Sequence, residues 1–231
     1  MKRVSRKLTR VLALVLVLTF ALSAMASAAW VEISNTLTAT VTVGEEPEYV
    51  AAFLDEDGNI TEQFLTLEAA IDEAATEGET RIKLLKNVTL TEAVKIKDGR
   101  DIVLDLNEKT ISSNTTGFEV INGSLELTGE GTISDSDKES ANVGIAVLGH
   151  HSNNSGKSEL TIDKNVAVAY AYGVAIFEEN KDNAKNSYGV TVNIKGTVGI
   201  EDGKAGNAIH VDGDIQQANG WPVINIEGAT I

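Results

Sequence analysis

The feature that most restricts the fold of this chain is a short sequence unit that recurs five times. Each unit consists of two brief stretches of alternating apolar and polar residues joined by a polar turn, which is typical of β-strands. The second apolar position of each unit falls at 106, 127, 162, 194 and 226, so the intervals are 21, 35, 32 and 32 residues. Such self-similarity predicts a repeat architecture. The units are Leu104–Ile111, Leu125–Ile133, Leu160–Val166, Val192–Val198 and Ile224–Ile231.

An additional short strand is predicted before each of the later units, at Gly144–Val147, Gly173–Ile176 and Asn207–Val211. About three short strands per repeat, with no helix between them, exclude helical and leucine-rich repeats. The remaining all-β solutions are a β-helix, whose coils stack along an axis, and an antiparallel sandwich. We favour the β-helix, because a sandwich does not explain why corresponding segments recur in the same order.

The segment 46–80 precedes the repeats and predicts a hairpin followed by one helix. An Asp-Gly-Asn sequence at 57–59, between two apolar runs, is a strong turn signal. Thr66 is a good N-cap, and the apolar residues of Leu67–Ala74 follow at helical spacing. We therefore expect one short amphipathic helix, which ends before Gly78.

Three segments of the chain, at 66–74, 82–90 and 102–111, resemble the start of right-handed parallel β-helix proteins of the pectin-lyase-like class. They are most similar to large surface and secreted proteins of anaerobic, gut-type bacteria. The resemblance covers about 46–231 and implies that the helix, at Thr66–Ala75, caps the open first coil. It implies little about activity, because the class includes lyases, hydrolases and adhesins.

The first 28 residues have the three parts of a secretory signal, a cationic stretch, an apolar run and small residues near the cleavage site. We expect cleavage after Ala28. An uncleaved anchor is the alternative, but the apolar run is shorter than the roughly 20 residues that span a bilayer. Residues 29–45 are interpreted as a lead-in strand or linker, and 81–231 as the β-helix coils. The expected location is secreted or at the cell surface, without membrane association after cleavage.

Charge and composition exclude several classes of function. Without the first 28 residues the chain has 14 basic and 34 acidic side chains, a formal charge of −20. Nucleic acid is therefore an unsuitable partner, since its phosphates are bound by Lys and Arg. The absence of Cys excludes disulfides, thiolate nucleophiles and Cys-ligated metals.

The long intervals between units arise from polar insertions at one equivalent place in successive repeats, at 149–158, 178–189 and 212–221. Because stacked coils are nearly in register, the insertions are expected to project side by side as a loop wall. Amide, carboxylate and aromatic side chains in such a wall could bind sugar hydroxyls and ring faces. The candidate ligand-binding residues are His150, His151, Asn153, Asn180, Asp182, Asn186, Tyr188, Asp212, Asp214, Gln216 and Trp221.

An enzyme active site and a metal site are the alternatives to a non-catalytic loop wall. A lyase needs a Lys or Arg base and clustered Asp residues for calcium; Lys157, Lys181 and Lys185 are the candidate bases, and Asp182, Asp212 and Asp214 the candidate ligands. The Asp-rich turn at 55–59 lacks the Gly and Glu that a calcium loop requires next. The adjacent His150 and His151, and His210 on a strand, have no clear carboxylate partner for zinc. We therefore expect no cofactor, with calcium as the one candidate ion.

The sequence thus predicts an exported, non-catalytic β-helix module that acts in adhesion or glycan binding, with a polysaccharide or surface glycan as partner. The alternatives are a polysaccharide lyase or glycoside hydrolase of the same fold, and a structural stalk. The repeat stops at Ile231 without a covering element, so the coils are expected to be truncated there. We expect self-association through this coil, and reduced folding as well as association on changing Ile226 to Lys.

Overall fold

The computed structural model of the protein describes residues 47–137, 139–149, 157–178, 189–200, 205–212 and 222–231. The described residues form many short strands and one helix, and most of the strands pair in parallel. The prediction of an all-β chain with parallel sheets is confirmed, and the antiparallel sandwich is excluded. The predicted signal segment 1–28 and the lead-in segment 29–45 lie outside the described residues.

An antiparallel hairpin and the helix come first. Strands β1 (Ala51–Leu54) and β2 (Ile60–Phe64) pair across the turn at 55–59. Helix α1 (Leu67–Glu73) begins after Thr66, whose Oγ1 accepts a hydrogen bond from the backbone N–H of Ala69 at 3.1 Å. The helix is shorter than predicted, because the backbone is already extended at Ala74. Among the described helices, none is long and apolar enough to cross a membrane.

The remaining strands form three parallel sheets, in which each strand pairs with the strand three places later in the chain. The largest sheet continues into the hairpin, since β1 pairs antiparallel with β3. We use the word layer for three consecutive strands, one from each parallel sheet. The parallel strands of the largest sheet are β3 (Glu79–Leu84), β6 (Asp101–Asp105), β9 (Gly123–Thr128), β12 (Ser158–Ile162), β15 (Val190–Ile194) and β18 (Val223–Ile226).

The other two parallel sheets have five strands each. The second sheet contains β4 (Val88–Leu90), β7 (Lys109–Ser113), β10 (Gly131–Asp135), β13 (Val166–Tyr170) and β16 (Thr197–Ile200). The third sheet contains β5 (Val94–Ile96), β8 (Phe118–Ile121), β11 (Val143–Gly149), β14 (Tyr172–Glu178) and β17 (Asn207–Asp212).

Apolar side chains on one face of each sheet form continuous columns from layer to layer. In the largest sheet one column joins five fully buried residues, and the alternating pattern of each strand puts the polar residues on the other face. The buried residues of α1 belong to the same core as these columns. Each layer therefore buries its apolar side chains against the next. The column is Ile82, Leu104, Leu127, Ile162 and Ile194.

The observed register differs from our sequence alignment of the units at two places. Leu104 pairs with Leu127, whereas the alignment matched Leu106 to that position. Val168 pairs with Ile133, whereas the alignment ended the unit at Val166. Both differences are slips of two residues, which leave every side chain on the same face of its strand, so alternation alone does not detect them.

Candidate functional site

The three polar insertions connect the same two sheets in successive layers. They leave the third sheet at the ends of β11, β14 and β17 and return to the largest sheet at β12, β15 and β18. Gly149 is in register with Glu178, and Phe177 with Asp212, so these strand ends are lateral neighbours. Neighbouring strands lie about 4.8 Å apart, so the three insertions start within about 10 Å of one another. We call this region the insertion flank.

The same corner is much shorter in the two preceding layers. The connection from β8 to β9 is Asn122 alone, in a left-handed backbone conformation with φ 55°, and that from β5 to β6 is the turn at 97–100. Asn is one of the few non-glycine residues that adopt this conformation readily. The insertions thus begin at a defined layer and recur in every later layer of the described chain.

Most of the predicted loop-wall residues lie outside the described residues, and their positions are therefore untested. Asp212 is the last residue of β17, at the insertion flank. The predicted residues outside the described part are His150, His151, Asn153, Asn180, Asp182, Asn186, Tyr188, Asp214, Gln216 and Trp221.

Ser158 ties the first insertion to the body of the molecule. Its side chain is fully buried; Oγ donates a hydrogen bond to the carbonyl oxygen of Leu148 at 2.6 Å and accepts one from the backbone N–H of Asn122 at 3.0 Å. Leu148 lies just before the insertion and Ser158 is its last residue, so this hydroxyl holds the two ends of the insertion together. It also links them to the turn of the preceding layer.

An aromatic cluster lies beside the insertion flank, on the third sheet. The ring centroid of His210 is 5.1 Å from that of Tyr172 and 6.4 Å from that of Phe177, and both ring pairs are tilted. All three side chains are half-buried. We call Tyr172, Phe177 and His210 the aromatic patch.

Two members of the patch, His210 and Phe177, are on the outward face of the third sheet. Ile209 of β17 is in register with the buried Val174 of β14, so the alternating His210 is on the opposite face. Phe177 directly follows the buried Ile176 in β14, so its side chain is also on the outward face. Ala175, which lies between Tyr172 and Phe177 in β14, is in register with His210 and is buried. The larger rings therefore form the accessible part of this surface.

Our sequence reasoning missed Tyr172 and Phe177. The alternation of β14 could have placed Phe177 on the outward face, because Val174 and Ile176 are inward. Alternation could not have predicted the position of Tyr172. This residue is an even number of positions from the inward Val174 and Ile176, but it lies at the start of the strand and its ring contacts that of His210. Their proximity to His210 follows from the pairing of β14 with β17, which is a tertiary contact.

The two arginines after the predicted signal are engaged in local contacts. Arg81 of β3 pairs with Glu79 at 2.6 Å, beside a groove on the largest sheet. Arg100 is largely buried, and its guanidinium donates hydrogen bonds to the carbonyl oxygens of Asp72 in α1 and of Lys97. The groove has a volume of about 260 Å³ and is lined by Leu54, Arg81, Ile82, Val103, Asp105, Thr128 and Gly129.

The Asp55 carboxylate stabilises the turn of the β1–β2 hairpin. Asp55 accepts hydrogen bonds from the backbone N–H groups of Asp57 and Asn59 and from the side-chain amide of Asn59. These bonds hold the pKa of the Asp55 carboxyl below its ordinary value. Among the described residues, His, Asp and Glu side chains do not come together in groups of three or more that could hold a metal ion.

Comparison with protein-family models found no matching family, and comparisons with curated proteins and with solved structures found no match.

Proposed function

We propose that this protein is an exported, non-catalytic module that binds glycans, or adheres to a glycan-bearing surface, through the insertion flank. The observation that carries the proposal is the common origin of three polar insertions on adjacent strand ends. A rigid sheet that presents several loops at one place is a frequent arrangement for binding sites. The amide and carboxylate residues of these insertions supply donors and acceptors for sugar hydroxyls.

The fold that underlies this proposal is a right-handed parallel β-helix of the pectin-lyase-like class, with α1 as its N-terminal cap. Pairing of each strand with the third strand that follows supports a coil of three strands. The hand is the one that twisted strands favour in parallel crossovers. Burial of Leu67, Ala70 and Ile71 against the core, and the Arg100 bond to the carbonyl oxygen of Asp72, support a capping role for the helix.

The experiment is a binding screen of the purified protein against plant, mucin and bacterial glycans, with and without calcium. Saturable binding to a defined glycan supports the proposal. Calcium dependence would assign the ion to the site, since oxygen ligands of carboxylates and amides suit it. Absence of binding to every glycan class, with an intact fold, would reject glycan binding and favour the structural stalk.

A lyase is tested separately by incubating the protein with polygalacturonate and calcium and following the absorbance of unsaturated products. We expect none, because a formal charge near −20 repels a polyanion. Product formation that is lost in Lys181→Ala or Lys185→Ala would overturn the non-catalytic proposal in favour of the enzyme.

Export is tested by expressing the full chain in a bacterial host and sequencing the N-terminus of the secreted material. We expect it to begin at Ala29, directly after the small residues at 24–28. Secreted protein that retains Met1 would show that the segment is not cleaved.

A further inference from the structure

Within the proposed glycan site, the aromatic patch offers a surface that the sequence did not indicate. The three rings are half-buried, which means that packing holds them in place while part of each remains open to solvent. Two neighbouring strands hold them, β14 through Tyr172 and Phe177 and β17 through His210. Rings held on rigid strands lose little conformational entropy when a ligand packs on them.

The patch and the insertion flank are adjacent. Phe177 directly precedes Glu178, the last residue of β14, and is in register with Asp212, the last residue of β17. A ligand at these two strand ends is therefore within reach of the rings. The combination of an apolar aromatic surface and a polar rim is typical of small-ligand sites.

The charges on the strands that carry and border the patch restrict the ligand. The three strands that carry or border it, β11, β14 and β17, contain no Lys or Arg, and two of them end in a carboxylate residue, Glu178 and Asp212. An anionic ligand would find no cationic partner on these strands and would meet the negative charge of the chain. The faces of aromatic rings carry partial negative charge and attract the weakly positive C–H groups of a neutral ligand.

We propose that the aromatic patch is the stacking surface for a neutral pyranose ring, and that this surface favours neutral glycans over uronates. This inference depends on the proposed glycan-binding function. The C–H face of the sugar packs on Tyr172, His210 and Phe177.

The test compares neutral hexose and N-acetylhexosamine oligosaccharides with uronate oligosaccharides of the same length, by calorimetric titration of the full chain. We expect measurable binding of at least one neutral series and at least tenfold weaker binding of uronates. Tyr172→Ala and His210→Ala should each weaken neutral binding about fivefold to tenfold, while Tyr172→Phe, which keeps the ring, should bind nearly as well as the unchanged protein.

Phe53→Ala is the matched control, because it removes a half-buried phenylalanine from the β1–β2 hairpin, where the ring packs on Phe64 at 4.6 Å. Its binding should be unchanged, and thermal melting of every variant checks the fold. If no glycan binds, the proposed function itself fails. If glycans bind but the patch variants bind as tightly as the unchanged protein, or uronates bind best, the function stands and this inference is wrong.

Discussion

At the scale of single residues, Ser158 has a disproportionate role because its hydroxyl is buried and serves two backbone groups. Replacing it with Ala leaves the carbonyl of Leu148 and the N–H of Asn122 without their partner. A buried backbone group without a partner is costly in a dry environment. We therefore expect Ser158→Ala to lower the free energy of unfolding by about 1–3 kcal/mol.

Chemical denaturation measures this change, and Ser124→Ala is the matched control. Ser124 lies on the neighbouring strand β9, next to Gly123, which pairs with Ser158, but its half-buried side chain is on the outward face. The control should change stability by less than about 0.5 kcal/mol. Equal effects of the two substitutions would show that the hydroxyl of Ser158 does not hold the insertion.

The ionisation of Asp55 should make the stability of the protein depend on pH. The backbone N–H and side-chain amide of Asn59 stabilise the ionised carboxylate and lower its pKa in the folded protein. A depressed folded pKa contributes stability above the unfolded pKa, about 3.9 for Asp. That contribution is lost as the pH falls through the folded pKa. Asp55→Asn should therefore reduce stability at pH 7 and make it less sensitive to acid.

The measurement is a carboxyl NMR titration of the intact protein and of Asn59→Ala. We expect a pKa below the ordinary value in the first and a partial return towards it in the second, because the backbone N–H of residue 59 remains. An ordinary pKa for Asp55 in the intact protein would contradict the hydrogen bonding described for this turn.

At the scale of elements, the third sheet is joined to the second through a column of small residues. Gly117 precedes β8, and Gly144 and Gly173 lie near the starts of β11 and β14. A Cβ atom on Gly144 would lie 2.6 Å from the carbonyl oxygen of Gly173 and 2.8 Å from Cγ1 of Val168. A Cβ atom on Gly117 would lie 2.7 Å from the carbonyl oxygen of Gly144. Close approach of successive layers therefore requires glycine here.

We predict that Gly144→Ala destabilises the protein by about 1–3 kcal/mol, because backbone atoms of the next strand would have to move. Gly199→Ala is the control, since a Cβ atom there would meet nothing within 4 Å and its φ is not in the left-handed region. The control should be neutral or slightly stabilising, because Ala restricts the unfolded chain more than Gly. Thermal melting of the two variants decides, and a neutral Gly144→Ala would mean that the layers tolerate a wider spacing.

At the scale of the whole molecule, the last described layer has exposed apolar side chains at positions that are buried elsewhere. Ile200, Val211 and Ile226 are 43%, 45% and 53% exposed. Each comes from a different sheet, and they are in register with the buried Tyr170, Ile176 and Ile194. Thr230 already pairs with the outer edge of β16, so among the described residues the strands of this layer with an unpaired outer edge are β17 and β18. Unpaired backbone groups at such an edge favour association.

We therefore predict that this surface mediates contact with a second copy of the chain. Light scattering over a range of concentrations should show a mass that increases in the unchanged protein and stays monomeric in Ile226→Lys. Because Ile226 is more than half exposed, the substitution should impair association more than folding, contrary to the expectation from sequence. Ile60→Lys, at an equally exposed position on β2, should not change association. A monomer at every concentration would contradict the prediction.

Alternation and spacing in the sequence are enough to predict the inward face of a strand and the places where the architecture changes. Alternation put Leu125 and Leu127 of β9 on the inward face, and the capping signal at Thr66 located α1. The intervals between units also located the three insertions at one corner, because a polar segment between two alternating strands does not belong to either strand.

Which residues are lateral neighbours depends on tertiary contacts. Parallel pairing joins residues about one repeat apart, and a slip of two residues keeps every side chain on the same face. The alternating pattern therefore does not show whether Leu104 or Leu106 pairs with Leu127, and the structure shows that it is Leu104. For the same reason the sequence did not predict the aromatic patch, because the contact between Phe177 and His210 depends on the register of β14 with β17. Side-chain contacts across strands depend on that register, which packing between whole layers sets.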